Sequence, residues 1–265
     1  MSAPPTDRIR LSDPAALIAA VPHLLGFHPH DSVVLMALHG TKLGLTIRAD
    51  LVPTKHAELL AEQLLLPMAR QRPTGVVLVV IGGELTTSGD PPHGTLVDTI
   101  GSVFGSAGLL VVHSAWATAT AAGAPWRCYE DPLCAGTIVD PASTPLAAAT
   151  VAAGAVTFRD REQLAAVLAA DEPSTLQRRS ELLDAADAEH PMSTQLRARR
   201  LAQLDELRRG AAAGQTELSD SAVAEVVSAL GDHRVRDACL PWCTGPAAGS
   251  AEQLWLALVR GTPAP

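Results

Sequence analysis

Lysine is almost missing from this 265-residue chain: of twenty basic side chains only Lys42 and Lys55 are lysine, and the remainder are arginine. Aromatic residues are equally sparse, at 3% against a hydrophobic fraction of 47%. A core made from Ala, Val, Leu and Ile packs closely but offers few flat surfaces on which bases or planar cofactors stack. Positive charge is also in deficit, with a net charge of -8 and a pI near 5.5. Such a chain is repelled by nucleic acid and by anionic membranes unless its charge is segregated. Cysteines number four, and no disulfide staple is needed, because a body this size buries roughly three quarters of its unfolded surface. Residues 1–6 lack the basic start and apolar run of a secretory leader, and no lipidation signature is present, so the expected location is the cytoplasm. The uncharged stretch 99–126 is broken by Gly101, Gly105, Gly108, Gly123 and Pro125. It reads as interior structure, and no membrane span is expected.

What is present is strong patterning. Asp13 before Pro14 and the stripe Leu17, Ile18, Val21 give a capped first helix that Pro22 should kink or end. Residues 32–38 form a compact apolar strand. Residues 43–51 alternate apolar with polar, and the short connection between the two makes a hairpin. A Leu-rich helix over 56–66 follows, meeting Pro67. The unbroken apolar run 76–81 predicts a strand buried on both faces. Leu96, Val97, Ile100, Val103 and Phe104 then recur at helical spacing, and 109–113 is a second buried strand. Strand, helix, strand in that order is a βαβ unit, which makes the two strands parallel. Residues 114–129 suggest a hairpin around Ala122-Gly123, and 130–144 a loop. Beyond residue 145 strand signals fade into helical segments at about 145–153, 160–170, 173–189, 193–212, 219–238 and 250–260. The fold class is therefore α/β, a mixed sheet with a central parallel βαβ unit followed by an all-helical C-terminal half. The expected domains are 1–155 and a helical region, 156–265, packing on it.

Three stretches stand out in this order: Arg10-Leu11-Ser12-Asp13-Pro14 running into Leu25-Gly26-Phe27-His28-Pro29; Trp126-Arg127-Cys128-Tyr129-Glu130-Asp131-Pro132-Leu133-Cys134; and Asp140-Pro141-Ala142-Ser143. Together they resemble the actinobacterial family catalogued as domain of unknown function 4192, over nearly the whole chain. The resemblance implies no catalytic residues. Many members carry adjacent cysteines near the Asp-Pro, where this chain has Cys134 followed by Ala135.

Candidate chemistry is thin. Neither GxGxxG nor GxxxxGK[ST] is present, and GxSxG and HExxH are also missing, so the common phosphate cradles, serine hydrolases and zinc proteases lack their signatures. His28-Pro29-His30-Asp31 has the composition of a transition-metal site, yet the proline and the adjoining strand explain it as a turn. Cys128 and Cys134, like Cys239 and Cys243, lack the two-residue spacing of a zinc knuckle. The expectation is four reduced cysteines, no metal site and no cofactor that the sequence identifies. The arginine pairs at 178–179, 199–200 and 208–209 fall in a segment, 177–209, where seven arginines meet six acids. That is the balance of a salt-bridged helix face and not of a nucleic-acid footprint.

Ligands of open α/β sheets gather beyond the carboxyl ends of parallel strands. The crevice candidates there are Gly82, Gly83 and Glu84 after the first buried strand, His113 at the end of the second, and Trp126, Cys128 and Asp131 on the returning hairpin. The leading expectation is a non-catalytic module binding a small ligand or a protein partner through the sheet edge or the helical half. The alternative is an enzyme with a site at the strand ends, using some of Glu84, His113, Cys128 and Asp131. A concave polar pocket where those side chains converge would favour the enzyme.

Overall fold

The structure, a computed structural model, describes residues 13–187 and 193–263. Expectations that touch residues 1–12 and 188–189 lie outside the described residues: the missing leader, the Arg10-to-Ser12 part of the first motif, and the end of the 173–189 helix. The chain divides into two compact units between Leu164 and Ala165.

The first unit opens with α1, Pro14–Leu25, whose N-cap Asp13 accepts a hydrogen bond from the Ala16 N–H at 2.8 Å. Proline at the first position lacks a donor where none is needed, and Gly26 closes the helix in the left-handed conformation at φ 81°. Pro22 lies inside this helix without ending it. Six strands follow: β1 Ser32–His39, β2 Lys42–Asp50, β3 Gly75–Ile81, β4 Val111–Ala117, β5 Pro125–Cys128 and β6 Ala135–Thr137. They form one sheet in the order β2-β1-β3-β4-β5-β6. β3 pairs with β4 in parallel, and every other neighbouring pair is antiparallel. All seven residues of β3 are buried, as the unbroken apolar run predicts.

Two helices, α2 Ala57–Arg70 and α3 Gly94–Ser106, cover one face. Leu60, Leu64, Met68, Ile100 and Phe104 meet Val33, Leu35, Leu78 and Trp116 there. On the other face Ile18, Ala19 and Val21 of α1 meet Val34, Met36, Val79 and Ile81, with Trp126 and Cys128 in the same cluster. A short helix α4, Pro145–Ala152, capped by Thr144, contacts α1.

The sequence expectation misplaces β4. The strand runs to Ala117, and Leu110 just before it and Val112 near its start are 66% and 46% exposed. The buried part is Ser114–Ala117, where small residues and one Trp give no branched apolar run to read. His113 therefore sits opposite Val77, near the start of its strand and not at its end. The expected loop 130–144 also contains β6 and a 3-10 turn at Pro141–Ser143.

A short helix α5, Arg161–Ala166, spans the boundary, and the second unit continues with α6 Pro173–Asp187, α7 Thr194–Ala212, α8 Asp220–Gly231, α9 His233–Cys239 and α10 Ala248–Gly261. The expected 219–238 helix is two helices, because Asp232 takes extended backbone and its carboxylate caps the Arg234 N–H at 2.8 Å. Leu204, Val223, Val226, Val235, Leu254 and Leu258 make the core. Six arginines of the 177–209 segment pair with neighbouring acids: Arg178 and Arg179 with Asp220, Arg197 with Asp232, Arg200 with Glu225, and Arg208 and Arg209 with Asp205. No helix among the described residues is long and apolar enough to cross a membrane.

Candidate functional site

The crevice candidates separate to two ends of the sheet. Gly82, Gly83 and Glu84 leave β3 at its carboxyl end, and Trp126 pairs with Ala117 at that same end. His113, Cys128 and Asp131 lie toward the other end, since β5 runs antiparallel to β4 with Cys128 opposite Ala115. Glu84 thus follows the carboxyl end of β3, whereas His113 stands opposite Val77 near the start of β4. The cause is the later start and end of β4.

The carboxyl end of the parallel pair is filled by its own chain. Gly82 at φ 114° abuts the turn before β1, and a Cβ there would lie 2.5 Å from Asp31 Oδ1. Its carbonyl accepts from Trp116 Nε1 at 2.7 Å. His28 Nδ1 bonds the Thr120 hydroxyl at 2.8 Å, and Thr120 is buried. Behind it, His23 Nε2 donates to the Pro141 carbonyl at 3.0 Å, so its Nδ1, 2.9 Å from the Thr157 hydroxyl, accepts in the neutral ring. The loop from Gly82 is tied to β5 and the residue after it: Arg127 donates to the Gly89 carbonyl at 3.0 Å and the Tyr129 hydroxyl to the Pro92 carbonyl at 2.6 Å. Burial, then Glu130, raises the Tyr129 pKa, so the phenol stays a donor. Trp126 is buried with no partner for its indole N–H. Glu84 is exposed.

His28 carries a pH dependence. Burial, then the neighbouring His23 and His30, holds its imidazole below the ordinary 6.5. Between those two pKa values the unfolded chain binds the proton better, so the stability that His28 contributes is fully present above pH 6.5 and declines as pH falls below it. Thermal unfolding between about pH 7.5 and about pH 5 is expected to show a shallower decline for His28→Gln than for the parent. Equal slopes would show that His28 does not carry the effect.

The other end holds the one group of three or more metal-capable side chains among the described residues: His113, Cys128 and Cys134, with ligand atoms all within 4.8 Å of one another. The last paired rung of the β5–β6 hairpin is Arg127 with Ala135, and the Cys128 N–H donates to the Cys134 carbonyl at 2.8 Å. The intervening turn is set by Asp131, whose carboxylate accepts from the Leu133 N–H at 2.9 Å and whose carbonyl accepts from the Cys134 N–H at 3.0 Å. Asp131 is thus a turn-former, exposed and committed to backbone. The two cysteines are joined as a disulfide with Cα atoms 5.4 Å apart, a correction to the expectation that all four are reduced. His113 Nε2 lies 3.5 Å from Cys128 Sγ. The expectation of no metal site measures sequence spacing alone, and the spatial set adds a histidine from another strand. Cys239 and Cys243 are free thiols in the helical unit, and burial, then Cys243, pushes the Cys239 thiol up to about 11.

The helical unit holds a groove of about 790 Å³ lined by residues of α6, α8 and α10 and the segments before α6 and α8. Arg179, 5% exposed, forms part of it. Its Nε bonds Asp220 at 2.9 Å and its Nη1 bonds Asp171 at 2.8 Å and the Gly261 carbonyl at 3.0 Å.

The family model described as domain of unknown function (DUF4192) matches residues 14–265, and the chain belongs to that family. No curated protein and no solved structure matches it.

Proposed function

We propose that this DUF4192 chain is a non-catalytic cytoplasmic module that binds a small polar ligand in the groove of its helical unit. The observation that carries the reading is the groove itself: about 790 Å³ falls within the range of ligand-holding clefts. Its lining indicates the ligand class. Arg178, Arg179 and Arg260 face four carboxylates, those of Asp171, Glu172, Glu217 and Asp220. Much of the guanidinium capacity is already engaged with protein, so a polyanion gains little there, whereas a zwitterionic or neutral hydrogen-bonding solute meets both signs. The apolar part of the lining, Leu218 and Ala257 among it, suits a short aliphatic portion. The enzyme alternative has less support, because Glu84 follows the carboxyl end of β3 while His113 and Cys128 lie farther back along β4 and β5.

Native mass spectrometry of untagged protein purified from its own host tests the reading. A small-molecule adduct is expected on the parent chain and is expected to vanish in Ala257→Phe, which fills the groove with a ring. A bare parent chain, or an adduct that survives the substitution, would overturn the proposal.

A further inference from the structure

We propose that His113, Cys128 and Cys134, once the disulfide is reduced, form a three-ligand site for a zinc-class divalent ion. A structural disulfide needs two cysteines and no histidine. Here an imidazole nitrogen stands 3.5 Å from one sulfur, and the three donor atoms lie within 4.8 Å of one another. Tetrahedral zinc with Zn–S near 2.3 Å and Zn–N near 2.0 Å separates its ligand atoms by roughly 3.5–3.8 Å, so small side-chain rotations admit the ion.

The backbone holds this set in place from two directions. Residues two apart on a strand share a face, so His113 projects to the same side as Ala115. Cys128 stands opposite Ala115 and joins the cluster on that face. Cys134 is brought alongside by the hairpin rung and the Cys128-to-Cys134 backbone hydrogen bond. Cys128 is buried while His113 and Cys134 are half-exposed, so the ion would sit at the surface with its Cys128 side protected. Soft thiolates with one imidazole select zinc over magnesium or calcium. The neighbouring carboxylates are engaged elsewhere: Asp131 on the Leu133 N–H and Glu130 on the Ser114 hydroxyl. The fourth position is therefore left to water or an incoming ligand.

The disulfide and the metal are alternative occupants of one place. A dithiol reductant delivers two electrons and two protons to the Cys128–Cys134 bond, giving two thiols, and itself closes to a disulfide. The ion then displaces both thiol protons to solvent and forms two metal–sulfur bonds and one bond to neutral His113. Reoxidation by a disulfide-bearing oxidant reverses both steps and releases the ion.

The test uses untagged full-length protein, reduced with a phosphine, desalted without oxygen and titrated with Co²⁺ and then Zn²⁺. The expected result is close to one Co²⁺ per chain with thiolate-to-cobalt charge-transfer absorption, which Zn²⁺ abolishes and which the disulfide form never shows. Cys134→Ser should lose that absorption. His113→Asn should weaken affinity by at least roughly 100-fold, the upper end of what losing an outer partner of a metal ligand costs. Cys239→Ser with Cys243→Ser should change neither. No stoichiometric metal on the reduced parent, absorption that persists in Cys134→Ser, unchanged affinity in His113→Asn, or loss in the Cys239/Cys243 double variant would each overturn the assignment.

Discussion

Replacing Arg179 with alanine is expected to destabilise the helical unit by about 3 kcal/mol, because it removes one partner from a buried charged network. The side chain is 6% exposed and joins three segments that are distant in sequence: Asp171 before α6, Asp220 at the start of α8, and the Gly261 carbonyl ending α10. Loss of the guanidinium leaves two carboxylates facing each other across the space it filled. Arg179→Lys should not restore stability, since one ammonium cannot reproduce a planar fork that reaches all three. Gly261→Ala should be damaging too, because a methyl there meets the Arg179 guanidinium. Arg178→Ala, whose side chain is 56% exposed, serves as the control and should do far less. Hydrogen exchange on α10 together with urea unfolding measures the set. A change for Arg179→Ala no larger than for Arg178→Ala would show that the network does not hold the unit.

Trp116→Ala is expected to cost the α/β unit about 4 kcal/mol, the usual range for deleting a fully buried aromatic side chain. Trp116 is 1% exposed and packs with Phe104, Leu78 and Val80 under α3. Its Nε1 also satisfies the Gly82 carbonyl, which fixes the turn that ends β3. Trp116→Phe restores most of the apolar contact but strands that carbonyl, so about 1–2 kcal/mol should remain lost. Urea unfolding followed by far-ultraviolet circular dichroism reports both. Equal losses for the two variants would mean that packing matters and the hydrogen bond does not.

Much of the architecture was legible because the patterns were local. The run at 76–81 could only be a strand covered on both faces, and β3 is that strand. The helix between it and the next strand forced a parallel pair, and β3 with β4 is parallel. Ser, Thr and Asp before apolar periods marked helix starts, and Thr144, Ser193 and Ser219 are the observed caps. The errors arose where a residue's fate depended on distant neighbours. Leu110 and Val112 look like core residues, yet β4 buries its smaller Ala115 and Ala117 instead. His113 accordingly lies near the start of its strand, opposite Val77.

The cysteine pair shows the same limit more sharply. Cys128 and Cys134 lack a zinc-knuckle spacing, and their nearness comes from a hairpin. Asp131-Pro132 between Trp126–Cys128 and Ala135–Thr137 was a readable turn signal, obscured because β6 is three exposed residues with a glycine.

Composition, hydrophobic period and capping residues by themselves determined the mixed α/β sheet, the parallel βαβ unit and the helical second half, because burial of an apolar face at a given period leaves each segment one favourable secondary structure. Which side chains meet was decided only by tertiary structure. Strand register placed His113 beside Cys128 and away from Glu84, and register depends on how both faces of a sheet are covered, a property of the whole layer and not of any one segment.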